Sequence, residues 1–196
     1  MRLLAAALGI LLVSPMSGTD IERALALARG READREQFHH RYITELSGPF
    51  VTRIEVVTEF RRLVIIAEDH VLHGDFMFTR GVRAAEDALK PMRGIITIKA
   101  QVRFNPLNTF IVSPPYTLAL GRPNNDQLQP IATDLTPDFS VPFKDRNSKK
   151  TLTSLIGCSL ESSLDAAVVG RAARVVGVTL DGKDVAQTTV DFEHLD

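Results

Sequence analysis

Histidine and carboxylate side chains concentrate in one short segment, Glu68–Asp75, which reads EDHVLHGD. Imidazole and carboxylate groups are the ligands that a catalytic zinc or iron ion uses. Residues three apart share one face of a helix, so His70 and His73 can reach the same ion, with Asp69 or Asp75 beside them. A helix end with histidines placed favourably against its dipole explains the same residues, and the metalloprotease spacing of two histidines four apart is absent. A metal-dependent hydrolase is therefore an alternative hypothesis, and the leading interpretation expects no cofactor.

Motifs for other kinds of catalysis are missing from the sequence. The string nearest to a serine-hydrolase elbow is Gly157–Glu161, which lacks the final glycine and falls in a predicted strand. The neighbouring acids in Glu68–Asp69 and Glu86–Asp87 cannot face each other across a substrate, as the acids of a glycosidase must. The adjacent His39 and His40 are typical of a polar helix face in water. The sequence therefore does not favour an enzyme.

The helical N-terminal part offers the first candidate surface for a protein partner. Phe38, Tyr42 and Leu46 recur at four-residue spacing, which places them on one face of a helix. Arg61 and Arg62 form a basic pair on the next predicted helix. We expect these five side chains to contact a protein partner in the cell envelope, unless the apolar ones are buried against the second helix.

A small basic cluster stands at the end of a long loop, at Lys144, Arg146, Lys149 and Lys150. Such a cluster can touch an anionic polymer or a lipid headgroup. Tryptophan is absent, and the aromatic residues needed for base stacking do not accompany the cluster. A solvated loop is therefore the simpler interpretation.

Composition places the chain among ordinary globular proteins. It has 196 residues, of which 44% are hydrophobic and 24% are charged, typical of one domain or two small ones. The net charge is −1 and the two signs are interspersed, so we expect no nucleic-acid partner. The single cysteine, Cys158, excludes a disulfide within the chain and a thiolate zinc cluster, and we expect it to be buried.

The first eighteen residues have the organisation of a secretory signal. Met1–Arg2 gives a positive start, Leu3–Val13 is an unbroken apolar run, and Ser14–Gly18 supplies small and turn-forming residues. The apolar run is shorter than the roughly 20 residues that a membrane span needs. We therefore predict an exported protein, periplasmic or extracellular, with a signal peptide at residues 1–18 and no stable membrane span after its removal. The alternative is a buried N-terminal helix.

Residues 19–92 are predicted to form a helical region of two or three helices. A capping box at Thr19 and Glu22 begins the first, which Ser47–Pro49 ends. Residues 50–72 keep helical spacing without an internal Gly or Pro, although Thr52–Val56 alternates like a strand; the length favours a helix. A third helix is expected near Val82–Leu89, before Pro91.

Residues 93–196 change to the two-residue period of half-buried strands. Alternation is clear from Ile96 to Phe104, from Tyr116 to Leu120 and from Ile156 to Leu164. A hairpin is predicted where Arg174–Leu180 and Val185–Phe192 flank an Asp-Gly turn. Phe110–Val112 is predicted as a further short strand, and residues 121–150 as a long loop without regular periodicity.

The predicted fold class is α+β, with the helical region packed on a C-terminal antiparallel β-sandwich of general immunoglobulin-like character. The diagnostic Cys–Trp–Cys pattern of true immunoglobulin domains is impossible with one cysteine and no tryptophan. The leading functional hypothesis is a non-catalytic exported binding or scaffold module. The alternatives are the metal-dependent hydrolase and a small-molecule or lipid carrier with a pocket between helices and sandwich. Strand order and oligomeric state stay open.

Overall fold

A computed structural model describes residues 16–48, 50–121, 127–144 and 149–196. The apolar run of the predicted signal peptide lies outside these residues. The first described helix starts at Gly18, two residues earlier than a capping box at Thr19 and Glu22 predicts. Ser17 is its N-cap: the Ser17 hydroxyl accepts from the Asp20 N–H at 3.1 Å, and the Asp20 carboxylate accepts from the Ser17 N–H at 3.3 Å. The capping box is therefore formed by Ser17 and Asp20, not by Thr19 and Glu22.

Helices occupy much of the N-terminal half. The described chain forms four helices before residue 92 rather than two or three, and one short helix later: α1 (Gly18–Ala28), α2 (Glu32–His40), α3 (Glu59–Leu72), α4 (Val82–Leu89) and α5 (Ala166–Val169), with 3-10 turns at Phe78–Arg80 and Lys90–Met92. The prediction of a helix near Val82–Leu89 is confirmed.

The prediction of one helix over residues 50–72 is wrong for its first half. Val51–Val57 forms a strand, and α3 begins only at Glu59. Thr58 is the N-cap of α3, and its hydroxyl accepts from the Arg61 N–H at 3.3 Å. The apolar spacing of this segment fits both the period of a helix and the period of a strand. The burial of alternating side chains in the sheet core decides for the strand. The single helix predicted from Thr19 to residues 47–49 is instead two helices, α1 and α2. The second ends at His40, because the chain then pairs as a short strand with Val51–Val57.

Eleven strands are described, all in antiparallel pairs. Their bounds are β1 (Ile43–Glu45), β2 (Val51–Val57), β3 (Ile95–Arg103), β4 (Tyr116–Gly121), β5 (Gln127–Leu128), β6 (Ala132–Phe139), β7 (Phe143–Lys144), β8 (Thr151–Leu152), β9 (Leu155–Asp165), β10 (Arg174–Leu180) and β11 (Lys183–Val190). A five-stranded sheet has the order β1-β2-β3-β9-β6, a four-stranded sheet the order β11-β10-β4-β5, and β7 pairs with β8.

Two of the strands interrupt the predicted division of the chain at residue 92. β1 and β2 come from the region predicted as helical, yet they extend the same sheet as β3. The predicted long loop contains β6, an edge strand whose side chains are mostly exposed and therefore leave no periodic pattern. Phe110–Val112 is not a strand. The Asp-Gly hairpin is confirmed: Asp181 has φ 50° and Gly182 has φ 74°, the positive angles of a tight hairpin turn.

Hydrophobic side chains gather in two separate cores. One is shared by the two large sheets, and the other lies among α1–α4 with Phe38 and Tyr42. Leu195, near the end of the chain, packs against both cores. Cys158 is fully buried in the sheet core, as predicted, and this burial raises the pKa of its thiol. The α+β class is confirmed, while the immunoglobulin-like character stays a prediction.

Candidate functional site

The segment predicted to bind a metal is a helix end in which each histidine has its own partner. His70 Nδ1 lies 2.9 Å from an Asp75 carboxylate oxygen, and the ring stacks on Phe78 at 3.9 Å. His73 Nδ1 lies 2.8 Å from the carbonyl oxygen of Asp69. The hydrogen bond from His70 lowers the pKa of Asp75. Within the described ranges no three His, Cys, Asp or Glu side chains are grouped closely enough to hold a metal ion. The geometry gives the hydrolase hypothesis no support.

The residues predicted to face a protein partner are largely buried. Phe38 is 2% exposed and Tyr42 is 4% exposed, both in the helical core. Leu46 packs against the sheet core, Arg61 is 2% exposed, and Arg62 is half-buried. The apolar side chains at four-residue spacing therefore face the interior of the fold. Their burial removes the argument for a partner surface at these residues.

Arg61 instead links the two parts of the fold. Its Nη2 lies 2.6 Å from a Glu55 carboxylate oxygen, its Nη1 donates to the Val56 carbonyl at 2.6 Å, and its Nε donates to His39 Nδ1 at 3.2 Å. The opposite nitrogen of His39 lies 3.0 Å from Glu68. Burial lowers the pKa of Arg61, and the charge of Glu55 acts in the other direction. The cluster spans α2, α3 and β2, so it stabilises the polar joint between the cores.

A cavity of about 300 Å³ lies beside this joint. Its volume is at the lower limit for small-molecule sites, too small to enclose an acyl chain. Nine residues line it, and they present mostly apolar surface to the cavity: Arg41, Tyr42, Thr44, Val56, Thr189, Val190, Asp191, His194 and Leu195. Because of its small volume, the cavity does not favour the lipid-carrier hypothesis.

The feature that stands out is the exposed apolar surface at one end of the sheets. The loop between β3 and β4, residues 104–115, contains Leu107 at 89% exposure, Ile111 at 93% and Val112 at 80%. This loop has no charged residue. Large apolar side chains exposed next to one another are a feature of interaction surfaces.

Short polar side chains hold the β3–β4 loop in shape. The Asn105 side chain accepts from the Leu107 N–H at 2.8 Å, and the Asn108 side chain accepts from the Phe110 N–H at 3.0 Å. The Asn108 amide group also donates to the carbonyl of Leu155 at 3.0 Å. Such turns satisfy the backbone locally, so the apolar side chains are left to point outward.

A second exposed apolar segment lies beside the loop. It is the β7–β8 arm, residues 139–156, of which residues 139–144 and 149–156 are described. Val141 is 85% exposed, and Phe143 and Leu152 face each other across the β7–β8 pair. Hydrogen bonds of 2.8 and 2.9 Å between Ser140 and Ser154 close the base of the arm.

The loop and the arm meet at the same end of the five-stranded sheet. The Phe104 N–H donates to the Ile156 carbonyl at 2.9 Å, next to the bond between Asn108 and Leu155. We call this surface the apolar end. It carries ten of the sixteen large hydrophobic side chains that are exposed in the described part of the chain: Phe50, Leu107, Phe110, Ile111, Val112, Phe139, Val141, Phe143, Leu152 and Ile156.

Positive charge accompanies these apolar side chains. The loop and the arm together contain four basic residues and one acidic residue in sequence, a net charge of +3 in a chain whose total is −1. The basic residues are those of the cluster noted in the sequence, of which Arg146 lies outside the described residues. The sequence held a signal for this site, a charge-free run from Phe104 to Pro115 that includes consecutive Phe110, Ile111 and Val112.

Comparisons with known proteins identify no relative of this chain. No protein-family model matches the chain, and neither a curated protein nor a solved structure shows a significant similarity to it. None of the helices in the described part of the chain combines the length and the hydropathy of a transmembrane span.

Proposed function

We propose that the protein is a non-catalytic exported binding module that docks on a lipid surface of the cell envelope. The docking surface is the apolar end, with the β3–β4 loop and the β7–β8 arm entering the headgroup region. The observation that carries the proposal is the near-complete exposure of Leu107, Ile111 and Val112 in a loop without charge.

The energetics favour such docking. Burial of one Leu, Ile or Val side chain contributes about 1.5–3 kcal/mol. The three most exposed side chains of the loop therefore supply a gross gain of roughly 6 kcal/mol before the cost of losing free motion is subtracted. Amphipathic helices that lie in the membrane interface bury their apolar face by about 5–10 Å, and exposed side chains of a loop can reach a similar depth without a spanning helix.

The shape and charge of the apolar end favour a lipid surface over a protein. Nine of its ten exposed apolar side chains belong to two segments, the loop and the arm, and the lysines of the arm match anionic headgroups. Protein interfaces have a hydrophobic core inside a mixed polar rim, whereas the β3–β4 loop has no charged rim of its own. The predicted signal peptide is consistent with this setting, since an exported chain meets the envelope membranes.

Sedimentation with lipid vesicles tests the proposal. Ile111→Asp places a charge at the most exposed apolar position of the loop, where it opposes insertion. Leu72→Asp is the matched control, because Leu72 is 81% exposed at the end of α3, away from the sheets. We expect the wild type and Leu72→Asp to sediment with vesicles and Ile111→Asp to stay in solution.

Two results would contradict the proposal. One is a wild-type protein that does not bind vesicles of any composition. The other is Ile111→Asp that binds as well as the wild type does. Capture of a defined envelope protein by the wild type, lost in Ile111→Asp, with no binding to vesicles, would replace the lipid surface by a protein partner.

A further inference from the structure

The structure points to the class of lipid as well. Building on the function proposed above, we infer that the apolar end selects anionic headgroups, and that Lys144 and Lys149 of the β7–β8 arm are the residues that recognise them.

The arm separates its apolar and basic side chains onto two faces. Phe143 pairs with Leu152 in register, and Lys144 pairs with Thr151. Side chains of successive strand residues point to opposite faces, so Phe143 and Leu152 share one face while Lys144 lies on the other. When the apolar face enters the membrane, a lysine on the opposite face can extend its flexible stem to the headgroups.

Lys149 lies at the other side of the same arm, just before β8. Its backbone has φ 55°, in the left-handed region that turn residues adopt. Lys144 and Lys149 are both exposed, and within the described ranges neither forms an ion pair. Exposed lysines at these positions can extend their ammonium groups to headgroup phosphate or carboxylate.

Other charged groups at this end nearly cancel one another. The β10–β11 turn carries Asp181, Lys183 and Asp184, while Arg103 and Asp138 stand near the ends of β3 and β6. These five groups sum to −1, from two cations and three acids. The three lysines in the described part of the arm, Lys144, Lys149 and Lys150, contribute +3, which outweighs this −1.

A pair of double variants tests the inference on the full chain. Lys144→Gln with Lys149→Gln removes the two recognising charges, and Lys90→Gln with Arg93→Gln removes the same charge from exposed positions between α4 and β3. The probes are vesicles of phosphatidylcholine alone and vesicles of phosphatidylcholine with added phosphatidylserine. Each lysine near an anionic surface contributes about fivefold to partitioning, so we expect a loss of roughly 25-fold on the anionic vesicles.

Comparing neutral with anionic vesicles distinguishes a failure of this inference from a failure of the proposed function on which it rests. We expect the Lys144/Lys149 variant to bind neutral vesicles as the wild type does, and the Lys90/Arg93 variant to match the wild type on both. Equal wild-type binding to neutral and anionic vesicles, unchanged in the Lys144/Lys149 variant, would overturn the headgroup inference and leave insertion intact. Absence of binding to both lipids would overturn insertion as well.

Discussion

Arg61 Nε donates a hydrogen bond to His39 Nδ1 across 3.2 Å, at the border between the helical core and the sheet core. Because the guanidinium group can only donate, Nδ1 must be the acceptor, and the proton of a neutral His39 lies on Nε2, facing Glu68. One buried arginine thus sets the tautomer of a histidine on α2 while it also binds Glu55 of β2. The helical part and the sheet are joined by this polar contact as well as by Leu195.

Removal of Arg61 should weaken this joint strongly. Arg61→Leu leaves Glu55 and His39 without their shared partner, and breaking a buried ion pair costs about 3–5 kcal/mol. Arg53→Leu is the control: Arg53 also pairs with Glu55, but its side chain is 37% exposed, so the expected cost is under about 1 kcal/mol. Chemical unfolding of the two variants measures the difference. Equal small losses would show that the joint does not depend on Arg61.

The capping box of α1 gives a prediction that depends on pH. Ser17→Ala removes the N-cap hydroxyl and should cost about 1 kcal/mol near pH 7. The hydrogen bond from Ser17 lowers the pKa of Asp20 in the folded protein. The stabilisation that this hydrogen bond gives is therefore present above the ordinary carboxylate pKa, and it is lost as the pH falls through the pKa of Asp20 in the folded protein. The cost of Ser17→Ala should therefore shrink in acid. Thermal unfolding of the wild type and of Ser17→Ala at neutral pH and at about pH 3 measures this change. A loss of stability that is the same at both pH values would contradict the capping geometry.

Gly157 in β9 should not tolerate a side chain. A Cβ atom at this position would overlap the backbone carbonyl of Val102 on the neighbouring strand β3, and a backbone atom cannot move aside as a flexible side chain can. We expect Gly157→Ala to destabilise the protein by about 3 kcal/mol. Gly177→Ala in β10 is the matched control, since nothing lies within 4 Å of the added atom. Similar unfolding midpoints for the two variants would refute this reading of the β3–β9 contact.

The sequence predicts the regular strands well because their two faces differ. Ile98 and Val102 alternate with Lys99 and Gln101 along β3, and the burial of the apolar pair follows that alternation. The secondary structure of residues 51–57 could not be predicted in this way, since their apolar spacing fits both a helix and a strand. Their pairing with β3 in the folded protein makes them a strand.

The candidate site could not be predicted in the same way. An apolar residue is expected inside, and Phe110–Val112 accordingly suggested a strand, whereas two of these three side chains are at least 80% exposed. Whether an apolar side chain faces the core or the water depends on the backbone around it, here on turns made by Asn105 and Asn108. Phe38 and Tyr42 show the converse, because a helix face suggestive of a partner proved to be core.

Insertion of the β3–β4 loop is tested most directly by a fluorescent side chain at its tip. The chain contains no tryptophan, so Ile111→Trp provides the sole indole, and Leu72→Trp provides a matched control at an exposed position on α3. On addition of phosphatidylserine-containing vesicles, we expect the emission of Ile111→Trp to shift to shorter wavelength and to be quenched by brominated acyl chains, while Leu72→Trp stays unchanged. Emission from Ile111→Trp that remains that of an indole in water would contradict docking through the apolar end.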